Sequence, residues 1–113
     1  MHAVMEERTL ELIELNAKSR KNMEYGKDTI EIHKDAISPY QKVLLIDDLL
    51  ATGGTAQAAA KLIEKLNGKV VECTFVIDLP ELKGKERLSK WPVYTMIEFQ
   101  GEWFLNPSIQ TKN

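Results

Sequence analysis

The stretch at residues 43–55, VLLIDDLLATGGT, decides how this chain is expected to fold. Its first four residues, Val43 to Ile46, are apolar without interruption, which is typical of a strand buried on both faces of a parallel sheet. Residues 55–66 carry apolar side chains at helical spacing, and Gly68 is expected to stop that helix. The stretch therefore predicts a strand, a tight loop and the start of a helix, which together begin an α/β unit.

Downstream of this unit, the hydrophobic pattern predicts two further strands. Residues 70–79 and 93–99 read as apolar strands, and residues 82–88 between them read as a short helix. The order strand, helix, strand, short helix, strand favours right-handed crossovers between parallel strands. The expected fold class is α/β, with a parallel-sheet core of about three strands and flanking helices.

Upstream of this unit, two segments precede the core. Residues 3–20 read as a charged helix, with acidic residues early and basic residues late, so an N-terminal helix is expected before the core. Residues 28–37 alternate with period two, which suggests a strand or hairpin arm, and residues 38–40 read as a turn.

Size and composition restrict the class of protein. The 113 residues are enough for one domain, so residues 1–113 are interpreted as a single domain. The net charge of −2 argues against nucleic acid as the main partner, since binding a phosphate backbone needs surplus Lys and Arg. No apolar run approaches the roughly 20 residues of a membrane span, and the acidic N-terminus does not fit a signal peptide. We therefore expect a cytoplasmic protein without a membrane partner.

The chain has a single cysteine, Cys73, in the apolar stretch VVECTFVI. One cysteine allows no disulfide within the chain and no cysteine-based metal site. A small buried side chain is the expected role of Cys73.

The loop after the first predicted strand offers donors to an anion. Its residues are small, and its two glycines let the backbone approach a ligand closely. Backbone N–H groups at the start of a helix can then surround a phosphate, with two threonine hydroxyls as further donors. The residues concerned are Ala51, Thr52, Gly53, Gly54 and Thr55. The P-loop pattern GxxxxGKS/T is absent, so a nucleoside triphosphatase is not favoured.

Two acids, Asp47 and Asp48, stand between the strand and this loop. Adjacent carboxylates are good hydrogen-bond acceptors for the two hydroxyls of a ribose diol. Acceptors for a diol, placed just before donors for a phosphate, describe a binding site for ribose 5-phosphate. The alternative from the same residues is a polar loop whose Asp and Thr side chains only cap the helix.

Several motifs together resemble the type I phosphoribosyltransferases, and the adenine phosphoribosyltransferases among them in particular. Residues 43–55 resemble the family's site for 5-phosphoribosyl-1-pyrophosphate (PRPP). The segments EYGK at 24–27, EIHKDA at 31–36 and LPELKG at 79–84 extend the likeness, so that residues 23–99 form a family-like core. The resemblance implies transfer of a phosphoribosyl group from PRPP to adenine, giving AMP and pyrophosphate in purine salvage.

The resemblance also implies a role for each matching residue. Asp47 and Asp48 would hold the ribose hydroxyls, and residues 51–55 would hold the 5-phosphate. Glu24 would be the catalytic acid of a flexible loop near the purine, and Tyr25 would close over the site. Mg²⁺ would be bound mainly through PRPP, with no metal site of the protein's own.

Residues 1–22 depart from the family's pattern. Family members carry two further core strands with helices before the EYG segment, and the first is followed by an Arg-containing loop that contributes to purine and pyrophosphate binding. Here residues 1–22 read as a helical extension, and residues 100–113 as a loosely structured tail. Without those two strands, the strand at 43–46 would lie on an open sheet edge. We expect the N-terminal helix to cover that edge or a second chain to pair with it, and a homodimer is the expected assembly.

Three interpretations of function stay open. The first is an adenine phosphoribosyltransferase, and the second is a non-catalytic module that binds PRPP or a nucleotide. The third is a dimerising remnant that binds nothing, against which the intact DDLLATGGT at 47–55 argues. The absent purine and pyrophosphate positions favour the second interpretation on chemistry, whereas the resemblance favours the first.

Overall fold

The computed structural model describes residues 1–6, 8–11, 13–14 and 30–100, and of residues 11, 13 and 14 the backbone alone. The strands are β1 (His2–Met5), β2 (Arg8–Glu11), β3 (Ile13–Glu14), β4 (Ile30–Glu31), β5 (Lys42–Leu50), β6 (Lys69–Asp78) and β7 (Val93–Glu98). The α-helices are α1 (Gly54–Lys65) and α2 (Gly84–Arg87), and Lys34–Ala36 and Pro80–Leu82 form short 3-10 helices.

The main sheet has five strands in the order β2-β1-β5-β6-β7. β5, β6 and β7 run parallel, with Leu45 opposite Cys73 and Cys73 opposite Val93. The predicted parallel core of three strands is thus confirmed, and β5 lies in the middle of the sheet. Because the carboxyl ends of parallel strands share one edge, the loops that follow β5 and β6 are neighbours there.

The predicted N-terminal helix is wrong for residues 2–14, whose described part forms strands β1, β2 and β3. β1 pairs antiparallel with β5, which sets Ala3 opposite Leu45 and Met5 opposite Val43. Ala3 and Met5 are buried, so the side chains follow a period of two. Pairing the backbone groups along the β5 edge outweighs a weak local preference for helix. The edge of β5 that was expected to be open is therefore covered by the N-terminal segment, which pairs with it as strand β1 and not as a helix. Residues 15–20 of the predicted helix lie outside the described residues.

Of the strand predicted at residues 28–37, the described part from residue 30 onward is a strand over Ile30–Glu31 alone, and residues 28 and 29 lie outside the described residues. Ile30–Glu31 form β4, which pairs with β3 in a separate two-stranded sheet. The chain then enters the first 3-10 helix, where Ala36 and the following Ile37 are both buried. Two consecutive buried side chains break the alternation that a strand requires. The turn predicted at 38–40 is present.

Helix α1 covers one face of the parallel strands. Its inward side chains are mostly small, and they pack on buried side chains of β5 and β6. They are Ala56, Ala59, Ala60 and Ile63 on the helix, and Val43, Leu45, Cys73 and Phe75 on the strands. Burial of each of the larger apolar side chains contributes about 1.5–3 kcal/mol. Neither α-helix of the described chain has the length and apolar character needed to span a bilayer.

The end of α1 depends on Gly68 for space rather than for an unusual backbone conformation. The helix ends at Lys65, and Asn67 takes the left-handed conformation, with φ of 68°. Gly68 N–H donates to the carbonyl of Ile63 at 2.9 Å. A Cβ at Gly68 would lie 2.8 Å from Cγ2 of both Ile63 and Ile37. The residue predicted to stop the helix therefore lets its end pack against the segment before β5.

The connection from β6 to β7 forms two short helical turns. The helix predicted at 82–88 is present as α2, after the 3-10 helix that begins at Pro80. Leu88 and Trp91 are buried behind α2, and Trp91 Nε1 donates to Glu64 Oε2 of α1 at 3.0 Å. This bond satisfies the polar atom of a buried indole and ties the connection to α1.

Candidate functional site

The loop between β5 and α1 closes on a left-handed glycine. Gly53 is the residue that caps α1, and its φ of 83° lies in the region that favours glycine. No side chain caps α1, and its first turn carries no acidic residue. The alternative in which Asp or Thr side chains cap the helix is therefore wrong. The first N–H groups of α1 have no partner within the helix, so they are available to an anion.

A cavity of about 110 Å³ lies directly against this loop. The residues around it come from the end of β5, the loop and the first turn of α1, with Phe75 of β6 at one side. Six of the residues that the sequence predicts for the site meet here: Asp47, Ala51, Thr52, Gly53, Gly54 and Thr55. The structure thus brings one of the two acids together with the whole phosphate-type loop.

Asp48 does not line that cavity. Its side chain is exposed and lines a wider, open groove of about 330 Å³. Asp47 lines that groove as well, so it belongs to both depressions. The two acids therefore meet at this groove, where their carboxyl groups interact with one another.

Asp47 is held by the backbone of its neighbour. Its Oδ1 accepts a hydrogen bond from Asp48 N–H at 2.9 Å and lies 3.7 Å from the amino nitrogen of Met1. Partial burial raises the pKa of Asp47, and the neighbouring Asp48 raises it further, while the backbone bond and the Met1 amino group lower it. A carboxylate short of solvent at this position is stabilised by any ligand that donates hydroxyl hydrogen bonds.

The backbone of α2 supports the loop from behind. A Cβ on Gly84 would lie 2.6 Å from the carbonyl oxygen of Ala51, and one on Gly53 would lie 2.9 Å from the carbonyl oxygen of Gly84. Glycine is therefore required on both sides of this contact. Gly84 belongs to the LPELKG segment, but the sequence pattern alone gave no reason to assign it to the site.

An ion-pair cluster anchors α2 to the ends of β6 and β7. Asp78 is 1% exposed, and Lys85 Nζ lies 3.5 Å from its Oδ2 and 3.8 Å from Glu98 Oε2. Within the described residues, neither carboxylate oxygen of Asp78 accepts a hydrogen bond. Lys85 is therefore the described group that compensates this buried carboxylate. The cluster surrounds a separate cavity of about 120 Å³.

Two predicted site residues, Glu24 and Tyr25, lie outside the described residues. The described part of the chain also contains no group of three or more His, Cys, Asp and Glu side chains placed to hold a metal ion.

Comparison with known sequences gives one consistent family. The family model of the phosphoribosyl transferase domain matches residues 3–108. The adenine phosphoribosyltransferase of Desulfosudis oleivorans is 52% identical over 81 residues, which cover 72% of this chain and 47% of that protein. The enzyme of the same name from Nitrosospira multiformis is 57% identical over 81 residues, covering 70% of this chain and 46% of that protein. The chain spans about half the length of the curated relatives it matches.

Solved structures show the same likeness in three dimensions. The adenine phosphoribosyltransferase of Thermoanaerobacter pseudethanolicus aligns with a TM-score of 0.64 at 39% identity, covering 79% of this chain and 48% of that one. The adenine phosphoribosyltransferase of Rhodothermus marinus aligns with a TM-score of 0.64 at 50% identity, covering 66% of this chain and 43% of that one. These alignments confirm the expected α/β fold as the corresponding part of a larger fold.

Proposed function

Since this chain belongs to the phosphoribosyl transferase family, we propose that its β5–α1 loop binds PRPP and that the protein transfers the phosphoribosyl group to adenine. The products of that reaction are AMP and pyrophosphate. One observation carries the proposal: Asp47 and the loop 51–55 share a single cavity at the start of α1. The relatives named adenine phosphoribosyltransferase support adenine as the acceptor.

The loop is proposed to hold the 5-phosphate of PRPP. Gly53 and Gly54 leave the backbone accessible, so several N–H groups at the start of α1 can point at one phosphate. The helix dipole favours negative charge at this end, and no acidic side chain of the first turn opposes it. Thr52 and Thr55 add hydroxyl donors at the rim of the same cavity.

Asp47 and Asp48 are proposed to accept hydrogen bonds from the two ribose hydroxyls. Asp47 lies at the cavity beside the loop, and Asp48 lies on the neighbouring groove. A ribose ring seated at the end of β5 would therefore meet both carboxylates along that groove. Charged acceptors form stronger hydrogen bonds than neutral ones, so the diol fixes the orientation of the sugar.

The transfer breaks the bond from the anomeric carbon to pyrophosphate and forms a bond from that carbon to a purine nitrogen, which loses its proton. Glu24 is proposed as the carboxyl group that exchanges this proton. Tyr25 is proposed to close over the site and exclude water from the reacting carbon. Both roles rest on the resemblance of the EYG segment at 24–26 to the family.

Mg²⁺ is proposed to enter together with PRPP. A bound Mg²⁺ would neutralise the leaving pyrophosphate, and it normally takes one or two carboxylates together with substrate phosphates. Because Asp47 and Asp48 are proposed to hold the ribose hydroxyls, the metal is proposed to be bound mainly by the phosphates of PRPP itself.

A homodimer in the cytoplasm remains the proposed state of the protein. The edge of β5, which was expected to pair with a second chain, is paired with β1 of the same chain. That edge is therefore not available as the dimer interface. On the described part of the sheet, β7 is the last strand and exposes Tyr94, Met96 and Ile97. Light scattering coupled to size-exclusion chromatography would measure the assembly directly.

The proposed activity is tested by mixing the protein with PRPP, Mg²⁺ and adenine. Calorimetry measures the heat of binding, and a coupled assay measures release of pyrophosphate. We expect both signals, and we expect neither from the double variant Asp47→Ala, Asp48→Ala if circular dichroism shows that this variant is folded. Retained affinity in that variant would overturn the assignment of the diol acceptors.

The alternative function is a module that binds PRPP or a nucleotide without turning it over. This alternative is favoured by the position of the cavity, because the cavity lies at the residues proposed to bind the ribose and the 5-phosphate. In the same experiment, binding heat without pyrophosphate release would support this alternative and exclude the enzyme. If neither binding heat nor pyrophosphate release is observed, both functions are excluded and the interpretation as a dimerising remnant is supported.

A further inference from the structure

The carboxyl half of β7 is exposed on both of its faces. Met96 is 63% exposed and Ile97 is 48% exposed, although neighbouring side chains of a strand point to opposite faces of the sheet. Within the described residues, β7 is the last strand of the main sheet, so no strand lies along its outer side. An apolar strand at a sheet edge needs a cover, because its free N–H and C=O groups can otherwise pair with other chains. A cover that reaches both faces and the backbone between them is a further strand.

The chain continues directly from this exposed strand. The N–H of Phe99 donates to the carbonyl of Asp78 at 2.9 Å, so the bonding of this segment to β6 continues to residue 99. Residues 101–113, which the sequence predicts to be part of a loosely structured tail, lie outside the described residues. They contain three consecutive large apolar side chains, the WFL of residues 103–105. The family model extends to residue 108, so this apolar stretch belongs to the domain.

A two-residue turn at Gln100 and Gly101 would set the following segment in one register along β7. Gly101 can take the left-handed conformation that hairpin turns of this length require. Counting outward from the turn pairs each residue of β7 with one residue of the segment, and apolar side chains then meet on both faces. The resulting pairs are Ile97 with Phe104, Met96 with Leu105 and Tyr94 with Pro107. Pro107 has no N–H to donate, which fits the end of a strand ladder.

We infer that residues 102–106 form a strand that pairs antiparallel with β7 and closes this edge of the sheet. Leu105 covers Met96 on one face, and Phe104 covers Ile97 on the other, as directly opposed side chains of an antiparallel pair do. The outward backbone groups of β7 gain partners at the same time. A second copy of the chain cannot then pair at this edge, so the proposed homodimer uses a different surface.

Disulfide formation in the full chain tests the register. The first variant combines Met96→Cys with Leu105→Cys, at positions that the proposed pairing sets side by side. The matched control combines Met96→Cys with Phe104→Cys, at positions on opposite faces whose sulfur atoms cannot meet while the pairing holds. The native Cys73 is buried in the core and does not compete.

The readout is the equilibrium between thiols and disulfide in a glutathione buffer, which gives the effective concentration of the two thiols. We expect this concentration to be about tenfold or more higher in the first variant than in the control. The spacing of the two cysteines along the chain differs by only one residue between the variants. A segment that is not paired with β7 would therefore give nearly equal values.

Hydrogen exchange measures the pairing without introduced cysteines. Phe104→Asp places a charge against Ile97, so we expect the amides of residues 93–98 to exchange about fivefold faster or more. Ile109→Asp introduces the same charge beyond the proposed strand and should leave their exchange unchanged. Unchanged exchange in Phe104→Asp would contradict the pairing.

The remaining outcomes of the disulfide experiment are distinct. Equal effective concentrations in the two variants, or no disulfide in either, would show that the segment is not held in this register, and the inference would be wrong. Disulfides between two chains would show that a second copy occupies the β7 edge, which would also overturn the inference. These outcomes concern the sheet edge alone and leave the proposed function untouched.

Discussion

Gly53 and Gly84 pack backbone to backbone, and neither position has room for a side chain. A Cβ on Gly53 would lie 2.9 Å from the carbonyl oxygen of Gly84, and 3.2 Å from its Cα. Gly53 belongs to the loop after β5, whereas Gly84 begins α2 in the connection after β6. The shape of the candidate phosphate loop is therefore fixed by a segment about 30 residues further along the chain.

Replacement of Gly84 should test this support. The Cβ of Gly84→Ala would lie 2.6 Å from the Ala51 carbonyl oxygen, so the loop or α2 must move. We expect a loss of about 1–3 kcal/mol in the free energy of unfolding, measured by urea denaturation, and weaker binding of ribose 5-phosphate. The control is Glu86→Ala on the exposed side of α2, which should change stability by less than about 0.5 kcal/mol. Unchanged stability in Gly84→Ala would show that the contact is looser than the structure places it.

Asp47 should make stability depend on pH. Burial raises the pKa of Asp47 above its usual range. The native state then holds the proton more tightly than the unfolded chain does, so this contribution to stability is present below the unfolded pKa and is lost as pH rises through the native pKa. At pH 7 the ionised group is a net cost, and Asp47→Asn should stabilise the protein by under about 1 kcal/mol while abolishing binding of PRPP.

The measurement is a set of thermal unfolding curves between pH 3 and about pH 8. The extra stability of Asp47→Asn over the unmodified protein should shrink as the pH falls, because Asp47 then becomes protonated and neutral like the asparagine. Asp35→Asn replaces an exposed acid and should show no such trend. A destabilised Asp47→Asn at neutral pH would contradict the argument from burial.

Cys73 should be inert in the folded protein. Its side chain is fully buried in the core, which confirms the expectation from the sequence, and burial raises the pKa of the thiol to about 11. At pH 8 only about one thiol in a thousand would be ionised, and that one would be out of reach of a reagent. We expect no reaction with a disulfide reagent in buffer and one equivalent in guanidinium chloride. Rapid labelling of the native protein would show that β6 opens locally.

The buried carboxylate of Asp78 should be tolerated only as long as the ammonium group of Lys85 is present to compensate its charge. Lys85→Met would leave the carboxylate of Asp78 buried without compensation, and we expect a loss of about 1–2 kcal/mol because Lys85 itself is half exposed. The double variant with Asp78→Asn should recover most of that loss. Urea denaturation of the four proteins of this cycle measures the coupling, and independent effects of the two changes would disprove it.

The N-terminal segment shows where local pattern is insufficient. Acidic residues early and basic residues late in residues 3–20 predict a helix, yet the described part from residue 2 to 14 forms strands. The cause is the edge of β5, whose backbone groups need partners that only another strand can supply. That requirement arises from residues about 40 positions away, so no window of local sequence contains it.

The sequence by itself determined the unit of β5, loop and α1, the three-strand parallel core that β5 forms with the two following strands, and the residues proposed to hold a phosphoribosyl group. These follow from local chemistry, since apolar runs, helical periodicity and paired glycines act within a few residues. Only the tertiary structure decided that Asp47 lines both the cavity and the groove whereas Asp48 lines the groove alone, and that Gly84 and Arg87 approach the loop. Such contacts depend on how two separate crossovers pack at one edge of the sheet, and packing of that kind is a property of the whole fold.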